Sequence, residues 1–256
     1  MRIGIIGGQS TPSFIKNKES LEIETKYGNI YIQISRLQEH EIFFVQRHGE
    51  KSNIPPHKIN YRGNIEALAA CHVECIFSLG TVGSMKKSIA PGDIVIPHDF
   101  IDFTKHRYYT FYDDSRVHID MTNPFCPFLR NKLIESSEKI SSIKMHKNGV
   151  YLVTEGPRLE TPAEIRYFSE FADIVGMTLI PEITLAREKE MCYASLCIVC
   201  NMAAGLQQNM LTANEISVMY KKLEKNVSKL LQITIESIPD IERNCECKNL
   251  LSGAVL

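Results

Sequence analysis

Tyr193-Ala194-Ser195-Leu196-Cys197-Ile198-Val199 carries no charged side chain. A strand with one wet face alternates apolar and polar residues, whereas a strand covered on both faces reads as this run does. It predicts a central strand of an α/β sheet with helices on both sides. Short runs of the same kind recur upstream at 2–6, 20–25, 30–34, 42–46, 75–79, 93–96 and 150–153. Helical patterns fall among them at 60–72, 127–140, 162–172 and 181–190, and a long one covers 214–236. In the last, Ile216, Met219, Tyr220, Leu223, Val227, Leu230 and Leu231 make one stripe, which reads as core and not as a cofactor box. Thr161-Pro162-Ala163-Glu164 has the form of a capping box with Pro at the first helical position. It places Glu155 to Glu160 on a loop at a strand end, where α/β sheets present their sites.

The chain has 256 residues, 44% of them hydrophobic and 23% charged, enough for a sizeable core. No repeat or break in composition precedes a polar tail at 239–256, so a single domain over 1–256 is expected. A formal net charge of −1 gives no electrostatic reason to expect nucleic acid as a partner. No apolar run approaches the roughly 18 residues of a membrane span. The opening MRIGIIGGQS enters a strand pattern, not a signal-peptide core, and a cytoplasmic protein is expected. Of the cysteines 71, 75, 126, 192, 197, 200, 245 and 247, most sit in apolar runs and pack as small hydrophobes. Cys245 and Cys247 stand apart in the tail, which supplies no further ligands, so no metal is expected.

Several blocks carry candidate chemistry. Gly4-Ile5-Ile6-Gly7-Gly8-Gln9-Ser10 is a glycine turn after a strand, able to hold an anion on backbone N–H groups, although it lacks the dinucleotide-binding spacing. Arg47-His48-Gly49 joins a planar guanidinium fork to an imidazole, an oxyanion clamp. Then come Gly80-Thr81-Val82-Gly83-Ser84, Pro91 to Pro97, Ile101-Asp102-Phe103-Thr104, Glu155 to Thr161, Val175 to Glu182, and Asn201-Met202-Ala203-Ala204-Gly205.

In this order the blocks resemble the trimeric nucleoside phosphorylase family, which includes methylthioadenosine, methylthioinosine and purine nucleoside phosphorylases. The resemblance runs from residue 3 to about 205. It implies a single-domain α/β fold with a central mixed sheet flanked by helices. It also implies phosphorolysis with inversion through an oxocarbenium-like cation, with phosphate as co-substrate and no cofactor. By the same resemblance Arg47, His48, Thr178, Gly80 and Thr81 hold phosphate, Met177 packs under the ribose, and Met202 and Ala203 join the substrate pocket. His118 resembles a residue that reaches a neighbouring subunit's 5′ pocket, with Pro124-Phe125-Cys126-Pro127 at the subunit contact, so a homotrimer or dimer of trimers is expected. Some archaeal members carry a local disulfide, the rival reading for Cys245 and Cys247.

The base can be argued chemically. A 6-oxopurine offers acceptors at O6 and N7 and a donor at N1–H. The Asn201 NH₂ can donate to both acceptors, and the Glu160 carboxylate can accept from N1–H. The adenosine-type members carry Asp and a small hydroxyl residue at these two positions, so both residues here fit the 6-oxopurine pattern. Inosine and guanosine are the expected substrates, with Asn201 the catalytic residue and Glu160 and Leu211 setting specificity. An S-methyl-5′-thioinosine phosphorylase is the alternative, since Met210, Leu211 and Met219 are apolar; a phosphate-independent nucleoside-binding protein or hydrolase is a third. Three phosphate contacts depart from the family pattern, at Gln9-Ser10, Ser52 and Gly80. Ser10 and Ser52 are the expected substitute donors.

Overall fold

The computed structural model describes residues 1–8, 10–16, 19–207, 210–240 and 243–255. Along the chain come strands β1 (Arg2–Gly7), β2 (Glu19–Thr25), β3 (Gly28–Leu37) and β4 (His40–Gln46), then helix α1 (Tyr61–Ala70). Next are β5 (Cys75–Ser84), β6 (Ile94–Val95), β7 (Asp99–Phe103), α2 (Pro127–Ser137), β8 (Met145–His146) and β9 (Val150–Thr154). The chain closes with α3 (Pro162–Phe168), β10 (Ile174–Gly176), α4 (Glu182–Glu188), β11 (Cys192–Met202) and α5 (Ala213–Glu236). Every strand and helix expected from the sequence is present, and β7, β8 and β10 are additions.

All described strands join one mixed sheet, with the path β2-β3-β4-β1-β5-β10-β9-β7 and with β11 and then β6 and β8 on the other side of β5. β1 runs parallel to β4 and β5, and β5 runs parallel to β11. The register sets Gly7 opposite Gln46 and Leu79, and Leu79 opposite Leu196. The carboxyl ends of four parallel strands thus lie together on one edge, where α/β sheets bind ligands. Their amino ends, among them Cys75 and Cys192, make the opposite edge.

β11 is buried almost to its end, as the uncharged run requires. Its side chains alternate between two cores. Tyr193, Cys197 and Val199 face the layer with Ile65 and Leu68 of α1 and Ile183 and Leu185 of α4. Ala194, Leu196 and Ile198 face Leu129 and Leu133 of α2 and Val227, Leu230 and Leu231 of α5. No described helix is long and apolar enough to cross a membrane.

Two local expectations are met in detail. Thr161 accepts from the Glu164 N–H while the Glu164 carboxylate accepts from the Thr161 N–H, a complete capping box. The α5 stripe packs as core through Val227, Leu230 and Leu231. Its first turns differ: Ile216 and Tyr220 line a cavity, so the stripe is core and pocket wall in succession.

Candidate active site

The carboxyl edge of the sheet holds a cavity of about 380 Å³, within the usual range for small-molecule sites. Its wall includes Gly8 after β1, Arg47 and His48 after β4, Gly80 to Gly83 of β5, Glu160 before α3, Val175 to Thr178 after β10, and Asn201 and Ala203 at the end of β11. Leu211, Ala213, Ile216 and Tyr220 close it from the α5 side. Arg47, His48, Gly80, Thr81, Thr178, Glu160, Met177, Asn201, Ala203 and Leu211 therefore meet in one place, from segments up to 164 positions apart.

Arg47 differs from the expected clamp. It is 2% exposed, and its Nε and Nη2 donate to the two carboxylate oxygens of Glu182 at 2.7 and 2.9 Å. Nη2 also donates to Ile6 O and Ser78 Oγ, and Nη1 to Leu79 O. The planar fork is thus committed to Glu182, leaving one Nη1 hydrogen toward the cavity. Glu182, fully buried at the start of α4, accepts further hydrogen bonds from Ser78 and Tyr193. A buried ion pair offsets its desolvation only when its remaining donors and acceptors find partners, as all but that one N–H do here. The network ties the ends of β1, β4 and β5 to α4. Glu182 lies at the end of the Val175 to Glu182 block, where no local pattern marks this role, because 135 residues separate it from Arg47.

His48 keeps its place. Its Nδ1 lies 2.7 Å from Ile54 O, so Nδ1 carries the proton and Nε2 faces the cavity. Burial, chiefly, pushes the imidazole below its usual pKa, which leaves a neutral ring with a bare Nε2 lone pair at pH 7. The wall beside it needs Gly8: a Cβ there would stand 3.2 Å from His48 Nε2 and 3.4 Å from Arg47 Nη1. A methyl-sized space, bordered by an imidazole nitrogen and a guanidinium N–H, is a cradle for one oxygen of an anion. Gly80 opens onto Thr178 in the same wall, with Thr178 Oγ1 3.8 Å from where a Cβ would be.

Ser10 and Ser52 do not supply the expected donors. The Ser10 hydroxyl donates to Glu224 at 2.7 Å, and its other neighbour is the Tyr220 hydroxyl. Ser52 accepts from Gln46 Nε2, and it and Ser10 line a separate hollow. Gln9 lies outside the described residues.

Asn201 and Glu160 line the same cavity. β11 shifts register between Val199 and Asn201, so a bulge turns Asn201 into the site. Gly83 makes room for it: a Cβ there would lie 3.1 Å from Asn201 Nδ2. Nδ2 already donates to Met202 O at 2.8 Å. Asn201 therefore has one N–H for a ligand, not the two expected for O6 and N7 together. Met202 contributes through that carbonyl and not through the cavity wall. Glu160 accepts from Thr154 Oγ1 through Oε1, which leaves Oε2 for a ligand.

Met210 and Met219, two of the three apolar residues behind the methylthio alternative, fall outside the cavity. Met210 is 83% exposed, and Met219 borders a hollow with Pro91 and Cys200. His118 is exposed on a loop whose backbone pairs with the C-terminal tail, its N–H donating to Ala254 O at 2.8 Å. Phe125 and Cys126, expected at a subunit contact, are 2% and 0% exposed within their own chain, packed under α2.

Comparison with known proteins agrees with this geometry. The family model described as the phosphorylase superfamily matches residues 2–236. A protein of Dictyoglomus turgidum described as a probable 6-oxopurine nucleoside phosphorylase is 51% identical, covering 98% of this chain and 97% of its own. One of Methanocaldococcus jannaschii, described as a probable S-methyl-5′-thioinosine phosphorylase, is 46% identical over 99% of both chains. The crystal structure of a methylthioadenosine phosphorylase from an antarctic soil metagenomic library superposes with a TM-score of 0.93 at 32% identity, over 99% of this chain and 92% of the other. The chain belongs to the phosphorylase superfamily and is a pentosyltransferase of the nucleoside phosphorylase kind.

Proposed function

We propose that the cavity cleaves 6-oxopurine nucleosides, inosine and guanosine, with inorganic phosphate, giving the free base and ribose 1-phosphate. The observation that carries this reading is that Glu160 and Asn201 line one cavity with His48, Gly8 and Thr178. Glu160 Oε2 accepts from purine N1–H and the free Asn201 N–H donates to N7 or O6. A 6-aminopurine presents no N1–H, so Glu160 would be left unpaired, at about 1–3 kcal/mol. As the C1′–N9 bond breaks, its electron pair moves into the purine ring, and the Asn201 N–H stabilises the charge that develops there. A phosphate oxygen held at the Gly8 cradle attacks C1′ from the opposite face. Thr81 and Thr178 donate to the same anion, and Met177 packs against the sugar.

His48 and phosphate share one proton. With Nε2 bare, the anion donates to it; with the ring protonated, the ring donates to the dianion. The complex holds the same proton count either way. The enzyme works in the cytoplasm as a homotrimer or dimer of trimers in which His118, exposed and outside the cavity of its own chain, completes a neighbour's 5′ pocket. Apolar Leu211 and Ile216 in the wall favour a second reading, S-methyl-5′-thioinosine as substrate.

Turnover of inosine, guanosine, adenosine, methylthioinosine and methylthioadenosine, each with and without phosphate, tests both. Phosphate-dependent release of hypoxanthine supports phosphorolysis, and arsenate should replace phosphate. Turnover without either anion would make the protein a hydrolase, and a preference for adenosine would overturn the base assignment.

A further inference from the structure

At the amino edge of the sheet, remote from the cavity, four cysteines converge. Cys126 precedes α2, Cys192 opens β11, and Cys245 and Cys247 lie in the tail. Their sulfurs all lie within 4.8 Å of one another, with Cys192 and Cys245 at 3.3 Å. Cys126, Cys192 and Cys247 are buried, and Cys245 is partly so. The tail supplies no further ligands of its own; Cys126 and Cys192 come from the core, more than 50 residues upstream of the tail pair.

We propose that Cys126, Cys192, Cys245 and Cys247 form a structural tetrathiolate site for one zinc ion. A zinc–sulfur bond of about 2.3 Å in tetrahedral geometry requires sulfurs about 3.8 Å apart, and the 3.3 Å pair and the 4.8 Å limit of the cluster bracket that spacing. The donor set is thiolate alone, which selects a soft or borderline cation over magnesium or calcium. All four positions are filled by protein, the arrangement of a structural site and not of a catalytic one. Four thiolates around a dication carry two net negative charges, and Arg243 meets them, with Nη1 3.6 Å from Cys192 Sγ. That guanidinium is itself held by Glu74 O and Glu190 O. A fixed cation of this kind orients and neutralises a thiolate site from outside the ligand shell. Four S–H protons leave to solvent as four Zn–S bonds form, and no electron is transferred.

The ion would anchor the tail to the sheet. Beyond Cys247 the tail pairs Val255 with Val117 and holds the His118 loop. Cys192 and the cavity-facing Asn201 are separated by nine residues of strand, roughly 30 Å, so the ion takes no part in the reaction. This inference does not rest on the proposed phosphorolysis.

The test uses the full chain, expressed with zinc in the medium and purified under anaerobic, reducing conditions. Elemental analysis should find one zinc per chain, and a mercurial reagent should release it as four thiols are titrated. Cobalt(II) exchanged into the site should give tetrahedral d–d bands and intense thiolate-to-cobalt charge transfer. Cys245→Ser should lose at least tenfold in zinc retention, while Cys71→Ser, a cysteine outside the cluster, should keep one zinc per chain. If Cys245→Ser does not fold, the wild-type thiol-to-zinc stoichiometry and the cobalt spectrum still decide. A zinc-free chain whose eight thiols all react with an alkylating reagent would overturn the proposal. So would disulfides among these four cysteines, mapped by mass spectrometry after anaerobic purification.

Discussion

At Arg47 the buried pair with Glu182 makes stability the first role of the side chain. Arg47→Ala leaves the Glu182 carboxylate buried without its cation, and breaking a buried pair costs about 3–5 kcal/mol. The expected result is a large fall in Tm, read by thermal unfolding, that accompanies any rise in the phosphate KM. Gly8→Ala isolates the anion contact, because its methyl fills the space between His48 Nε2 and Arg47 Nη1. It should raise the phosphate KM about tenfold, with the inosine KM and Tm little changed. An unchanged phosphate KM would place the anion elsewhere. His48 supplies a pH signature. Its depressed pKa leaves Nε2 bare at neutral pH, able only to accept from a phosphate O–H, and the phosphate KM should fall as pH drops and the ring gains its proton. His48→Gln, which donates from an amide at every pH, should flatten that profile. Asn201→Asp puts a carboxylate oxygen where Nδ2 meets Met202 O at 2.8 Å, acceptor against acceptor. The kcat/KM for inosine should drop about 10²–10³-fold; wild-type kinetics would remove Asn201 from the site.

Elements place these residues, and the most exposed link is the start of α3. Its capping box holds the loop that carries Glu160, and the Glu164 carboxylate is pushed down to about 2 by Arg158 and by the Thr161 N–H. A carboxyl whose pKa is lowered by folding stabilises the native state above its ordinary value of 4.5 and loses that contribution as pH falls toward 2. Glu164→Gln should therefore narrow the stability difference between pH 6 and pH 3, measured by thermal unfolding, without changing the inosine kcat at pH 7. Thr161→Ala should cost about 1 kcal/mol by removing the other half of the box. The long strands and helices were legible because each carries its own period or uninterrupted apolar run. β7, β8 and β10 were not, since they are two to five residues long and gain their pairing from neighbours already in place. The site was legible where it follows from a strand ending in a glycine turn or a cap. Its buried wiring was not. Arg47 meets Glu182, and Cys126 meets Cys245, only after distant segments fold together, and no local pattern records such a meeting.

On the scale of the whole molecule, His118 is a candidate residue that lies outside the cavity of its own chain. His118 is exposed and does not line the candidate site, yet its loop is held by the Val117–Val255 bridge and by the Ala254 carbonyl. A surface histidine on a loop so fixed is presented at a defined position, which suits a function in a second subunit. If each site draws Asn201 from one chain and His118 from the next, two separately impaired variants should complement each other. In a mixture of Asn201→Asp and His118→Ala chains, a site is intact when the Asn201 chain is of the second kind and its neighbour is of the first. Random exchange at equal amounts makes about a quarter of the sites intact in a closed ring. Inosine phosphorolysis should then recover to about that fraction of wild type after exchange, and not before it. Exchange can be followed independently by native mass spectrometry of differently labelled chains. Demonstrated exchange with no recovery, or a fully active monomer in sedimentation, would confine the site to one chain and leave the His118 loop a structural consequence of how the tail docks.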